Sequence, residues 1–112
     1  MPQKKEQHLY LTTTGRRSGK LREIEIWFTQ CDGKYYVIAE YPDAKWVANI
    51  RANGEVKVRL GERVFQARGR TIDDSAEPEL NARVQELSRK KYGWGDGLVV
   101  ELAPTANNEA PL

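Results

Sequence analysis

Thr12-Thr13-Thr14-Gly15-Arg16-Arg17-Ser18-Gly19-Lys20-Leu21-Arg22, continuing as Glu23-Ile24-Glu25-Ile26-Trp27-Phe28, is the stretch that decides the fold. Its start closes a β-branched run. Its end alternates strictly, with Ile24, Ile26 and Phe28 on one side and Glu23, Glu25 and Trp27 on the other. Period-two alternation on both flanks of a glycine-rich polar segment predicts strand, loop, strand. Two glycines bracket Arg16, Arg17 and Ser18, and Lys20 and Arg22 follow. Glycine lets a backbone curl so that successive N–H groups face one anion. Guanidiniums and an ammonium beside such a curl would hold a phosphate by charge-assisted bonds. The spacing is not that of a Walker loop. The competing reading is a solvated basic hairpin loop, because charge clusters usually lie on the surface.

Working outward, Leu9, Leu11 and Thr13 alternate with His8, Tyr10 and Thr12, which predicts a first strand. Leu21 to Cys31 is expected as one continuous second strand. Asp32-Gly33 signals a tight hairpin, since both residues tolerate positive φ. A third strand then runs from Lys34 to about Tyr41. Pro42-Asp43 opens a helix over Ala44 to Asn53, with Val47 and Ile50 on its apolar face and Asn53-Gly54 as a left-handed stop. Val56, Val58 and Leu60 mark a fourth strand, Gly61-Glu62 a type II′ turn, and Arg63 to Ile72 a fifth strand. Asp74 and Glu77 read as a capping box for a second helix, whose Leu80, Val84 and Leu87 recur at helical spacing. Arg89-Lys90-Lys91 suits a helix C-terminus. Tyr92 to Gly97 is expected as a flexible aromatic and glycine loop, and Leu98, Val100 and Leu102 as a sixth strand.

Six short strands, two helices and tight hairpins predict a mainly β (α+β) fold, a six-stranded antiparallel split β-barrel. No βαβ alternation is present, which excludes a Rossmann arrangement. The 112 residues suit one domain, with 1–7 and 104–112 as loose tails. A formal charge of +2 gives no nucleic-acid footprint, and Lys57, Arg59, Arg63, Arg68 and Arg70 are interspersed with acids. The only cysteine, Cys31, excludes an intrachain disulfide and reads as a strand-end residue. With no basic, apolar leader and no apolar run of bilayer length, a cytoplasmic protein without membrane insertion is expected.

The motifs T-T-T-G-R-R-S-G-K, then R-x-x-x-x-W-F, then W-x-x-N-I-R-A-N-G-E-V, in this order, resemble the deazaflavin-dependent nitroreductase family, which includes quinone reductases. The resemblance covers about Leu9 to Arg70. It implies a small split barrel, related to flavin-binding barrels of the pyridoxamine-phosphate-oxidase type; a homodimer is expected separately, because so small a core often gains by dimerising. The implied cofactor is coenzyme F-420, an 8-hydroxy-5-deazaflavin, with flavin mononucleotide (FMN) and then haem as alternatives. The implied substrates are small electron-poor molecules: quinones, nitro compounds or enones.

By the same resemblance, Arg16, Arg17, Ser18, Lys20 and Arg22 grip the phosphate side of the cofactor. Trp27 and Trp46 wall its ring, and Asn49 shares a helix face with Trp46. Trp27 could instead be a core or dimer-face residue, and Asn49 and Asn53 could serve capping and local hydrogen bonds. Tyr92, or a water, is the candidate proton donor. Between Ala39 and Trp46 this chain is shorter than many relatives, which have a lysine there on the cofactor tail. Lys45 is the substitute on offer, whereas Glu40 would repel phosphate. Glu23 and Glu25 share one strand face, either as an acid–base or metal-ligating pair or as carboxylates balanced by neighbouring arginines. No metal site is expected, and His8, the only histidine, becomes a ligand only if haem is bound. The alternative function is therefore a split-barrel binding protein for haem, flavin or another planar anion, without redox turnover.

Overall fold

The computed structural model describes residues 7–105. Among these, seven strands and two helices follow one another as β1 (His8–Thr14), β2 (Leu21–Trp27), β3 (Thr29–Cys31), β4 (Lys34–Ala39), α1 (Lys45–Ala52), β5 (Glu55–Leu60), β6 (Arg63–Thr71), α2 (Pro78–Tyr92) and β7 (Leu98–Pro104). The strands form one sheet in the order β2-β1-β5-β6-β7-β4-β3, antiparallel at every pairing. The two edge strands are consecutive in the chain, with only Phe28 between them. A sheet whose first and last strands are joined through one residue must curl until its edges meet, and this produces the expected split barrel.

The expected second strand is divided at Phe28, which raises the strand count from six to seven. The cause lies in α2. The Phe28 N–H donates to the Tyr92 hydroxyl at 3.0 Å, and the Phe28 carbonyl accepts from Lys91 Nζ at 2.9 Å. Both backbone groups of Phe28 are thus occupied by the end of a helix, and the ladder breaks there.

The curl encloses an apolar core. Leu9 and Leu11 from β1, Val56 and Val58 from β5, Phe65 and Ala67 from β6, and Val100 and Leu102 from β7 meet inside, closed at one end by Ile50 of α1. A second cluster lies between the sheet and α2, where Val84 packs with Cys31, Tyr36, Ile72 and Val99. β7 is therefore buried on both faces, and Glu101 is buried within it. The Glu101 carboxylate is paired: it accepts from the Tyr36 hydroxyl at 2.9 Å and from Arg70 Nε at 2.9 Å, and Arg70 also reaches Glu77 at 2.6 Å. Burial, reinforced by the hydrogen bond to Glu101, raises the Tyr36 hydroxyl far above the ordinary tyrosine value.

Three local expectations are corrected. Asn53 is extended (φ −148°) and not left-handed, and its side chain accepts the Glu55 N–H at 3.0 Å. Gly54 is needed for close approach: a Cβ there would meet the Gly69 carbonyl oxygen at 2.9 Å. Asp74 and Glu77 form no capping box. A separate turn, in which Asp73 accepts from Ser75, precedes Pro78 at the helix start, and Glu77 pairs with Arg70. At the far end, β7 runs through Pro104, and Thr105 donates its N–H to the Gln66 carbonyl, so the chain is still tied where a loose tail was expected. Residues 1–6 and 106–112 of the expected tails lie outside the described residues.

Candidate functional site

The loop between β1 and β2 is closed by its own backbone. The Gly15 N–H donates to the Lys20 carbonyl, the Gly19 N–H to the Gly15 carbonyl, and the Lys20 N–H to Ser18 Oγ. Gly19 sits at φ 73°, where a side chain would be strained, and a Cβ on Gly15 would meet Ser18 Oγ at 2.8 Å. The remaining support comes from α1. The Arg16 N–H donates to Asn49 Oδ1 at 3.1 Å, and Asn49 Nδ2 donates to Thr13 Oγ1 at 3.0 Å. Asn49 is buried, so this side chain clamps the loop to both α1 and β1. The amides of Gly15, Arg16, Gly19 and Lys20 are therefore turned to internal partners. These four amides are not part of the outward anion nest that the sequence suggested.

The candidate side chains converge. Arg16, Arg17, Ser18, Arg22, Trp46 and Asn49 border one cleft of about 730 Å³, and Lys45 completes its charge. Among the described residues, its wall carries four cationic side chains and no carboxylate. Lys20 is the one candidate of the loop that does not border it; its carbonyl closes the loop. Lys45 does stand beside the basic loop, as proposed for the shortened segment, while Glu40 lies elsewhere.

Trp46 is shared with a second cavity of about 510 Å³ on its other side. Trp27, Phe28, Trp94, Glu25 and Glu40 contribute to that wall, together with His8. Trp27 is 42 % exposed, so it is not a core residue, and it stacks on Tyr92 with ring centroids 4.4 Å apart and planes within 5°. The Tyr92 hydroxyl accepts from Phe28, and its proton lies between the carbonyls of Gln7 at 2.6 Å and Phe28 at 2.8 Å. Burial raises its pKa above the ordinary value. A hydroxyl so committed to backbone serves as a pin between α2 and the barrel. The segment after it is likewise tied down: Ser88 Oγ donates to the Trp94 carbonyl at 2.6 Å, and Arg89 pairs with Asp96 at 3.0 Å.

The two carboxylates of β2 are partnered separately. Glu23 faces Arg59 at 3.6 Å. Glu25 accepts from the Tyr10 hydroxyl at 3.1 Å and lies 3.8 Å from His8 Nδ1. Sequence reasoning missed the Tyr36–Glu101–Arg70–Glu77 chain. The available signal was a single glutamate inside the apolar run Leu98-Val99-Val100-Glu101-Leu102, since a charge in such a strand requires a partner.

The basic loop and the tryptophan-bearing helix α1 thus border one cleft. The model of the family described as "F420H(2)-dependent quinone reductase" matches residues 2–95. The chain belongs to that family. The resemblance read from the motifs is thereby met. Among solved structures, this family member is similar to an F420-H2 dependent reductase, FDR-A (24% identity, 86% of this chain and 93% of that chain, TM-score 0.72). It is also similar to HutZ, the haem storage protein of Vibrio cholerae (17% identity, 90% and 83% covered, TM-score 0.74). A third match is an FAD-binding protein of Mesorhizobium loti (14% identity, 89% and 82% covered, TM-score 0.72). At these identities the structures share the split-barrel fold with this quinone-reductase family member.

Proposed function

We propose that this chain is an oxidoreductase that binds reduced coenzyme F-420 and reduces electron-poor planar molecules of the quinone, nitro or enone type. The observation that carries the proposal is the cleft in which Arg16, Arg17, Arg22 and Lys45 face Trp46 with no acid between them. The donor set fits the group. Three guanidiniums and an ammonium match an anionic, phosphate-bearing tail, and an indole in the same wall suits a flat ring. When bound, the deazaflavin supplies the hydride. The chain's own residues bind and orient. Asn49 fixes the loop so that Arg16 and Arg17 are presented on one side of the cleft, and Arg22 and Lys45 bring charge from β2 and α1. Trp46 separates the charged cleft from the aromatic cavity, and Trp27, braced by Tyr92, stands in that cavity's wall.

The test is Arg16→Ala combined with Arg17→Ala. Both side chains are exposed, so the thermal midpoint should move little. The Kd for F-420, read by quenching of intrinsic fluorescence, should rise at least about 100-fold, as expected for two charge-assisted contacts. Unchanged affinity, or equal losses of affinity and stability, would refute the assignment.

A second reading is a binding module for haem or flavin. His8 in the wall of the aromatic cavity is the observation in its favour, and a haem storage protein shares the fold. A Soret band in the purified protein, lost in His8→Ala, would establish it and displace the reductase. We also propose a homodimer. A structural match at 24% identity is a domain-swapped dimer, and Leu21, Trp27 and Val64 are large apolar side chains left exposed on this chain.

A further inference from the structure

The two cavities that meet at Trp46 carry opposite charge. Among the described residues, the loop side has four cations and no acid. The other side has the carboxylates of Glu25 and Glu40, and among the described residues that line it His8 is the one basic group. Glu25 is aimed by two neighbours, the Tyr10 hydroxyl at 3.1 Å and His8 at 3.8 Å. Glu40 is exposed just beyond β4 and forms no ion pair among the described residues. Lys91 of α2 is not among the residues of the cavity wall. Its ammonium is held by the Phe28 carbonyl at 2.9 Å and lies over the Phe28 ring. The same wall carries the apolar side chains of Trp27, Trp46, Trp94 and Ile26.

We propose that this second cavity receives the electron acceptor, and that Glu25 and Glu40 restrict it to neutral or cationic planar molecules by repelling anions. The inference rests on the reductase reading for the role of the ligand, and goes beyond it in naming the charge class. The physical reason is a division of labour between neighbouring lobes. The anionic tail of the cofactor is drawn to the arginine lobe. The same repulsion that keeps a phosphate out of the aromatic lobe keeps out anionic acceptors, so the two ligands cannot exchange places.

The experiment uses the full chain, a neutral naphthoquinone and its ring-sulfonated analogue. Binding is read first without cofactor, by quenching of tryptophan fluorescence, and then as KM with reduced F-420. The neutral compound should bind about ten-fold more tightly than the sulfonate at low salt, the scale set by two like charges near a protein surface. Glu25→Gln combined with Glu40→Gln should bring that ratio close to one, chiefly by improving the sulfonate, with the Kd for F-420 unchanged. Equal affinity of the natural chain for both compounds, or discrimination that survives the double substitution, overturns the proposal while leaving the reductase reading intact. Discrimination in a chain that fails to bind F-420 overturns the reductase reading, and the acceptor role falls with it.

Discussion

At the scale of single residues, burial sets the stakes. Glu101 is the clearest case, because it is a buried carboxylate with two hydrogen-bonded partners, Tyr36 and Arg70. Replacing it with alanine leaves the Tyr36 hydroxyl unsatisfied in a buried site and takes from Arg70 one of its two acids. The expected loss is about 3 kcal/mol, within the range for breaking a buried charged network, and it would be measured by urea denaturation. Tyr36→Phe removes only one partner and should cost about 1 kcal/mol. Thermodynamic parity of the two variants would show that Arg70 does not depend on Glu101. By contrast Glu23 and Arg59 are both half-exposed at 3.6 Å, and such pairs contribute little. Asn49 belongs with Glu101: it is polar and buried, and each of its two hydrogen bonds ties a different segment to α1.

At the scale of elements, α2 decides where the barrel splits. Its last residue, Tyr92, pins Phe28 and Gln7, and Gly93 ends it in the left-handed conformation at φ 82°. The chain then folds back along the same helix. Gly95 is buried there, and a Cβ on it would collide with the Gln85 carbonyl oxygen. Backbone cannot yield as a flexible side chain can. Gly95→Ala is therefore expected to destabilise by about 2 to 3 kcal/mol, the scale of overpacking, and to lower the thermal midpoint by roughly 10 °C. A melting curve that superposes on that of the unmodified chain would show that the return loop has room to move. Gly19 provides the contrast. It has a positive φ and nothing near its missing Cβ, so its requirement is conformational alone.

At the scale of the whole molecule, the organising feature is a sheet curled until β2 and β3 adjoin, with a basic cleft and an acidic, aromatic cavity sharing Trp46. Because the proposed cofactor grip is a set of exposed charges, F-420 affinity should fall about ten-fold when salt is raised from roughly 0.05 to 0.5 M, as the screening length shortens below the size of the cleft. Calorimetric titration at both salts checks this, and salt-independent binding would place the energy in the ring contacts. The sequence by itself determined what depends on neighbours in the chain. Alternation laid out the strands, Asp32 and Gly33 at φ 55° and 79° made the expected hairpin, and Gly61 at φ 62° made the next. The glycine and arginine loop, and the pairing of Trp46 with Asn49 one turn apart, were equally local and equally legible. Only the tertiary structure decided the rest: the break at Phe28, the Asn49 clamp, the commitment of Tyr92 to backbone, and the opposite charge of the two cavities. The contacts responsible join residues 33, 36 and 64 positions apart. Their cause is the closure of a sheet around a core, and no periodicity within one strand encodes which distant side chains that closure brings face to face.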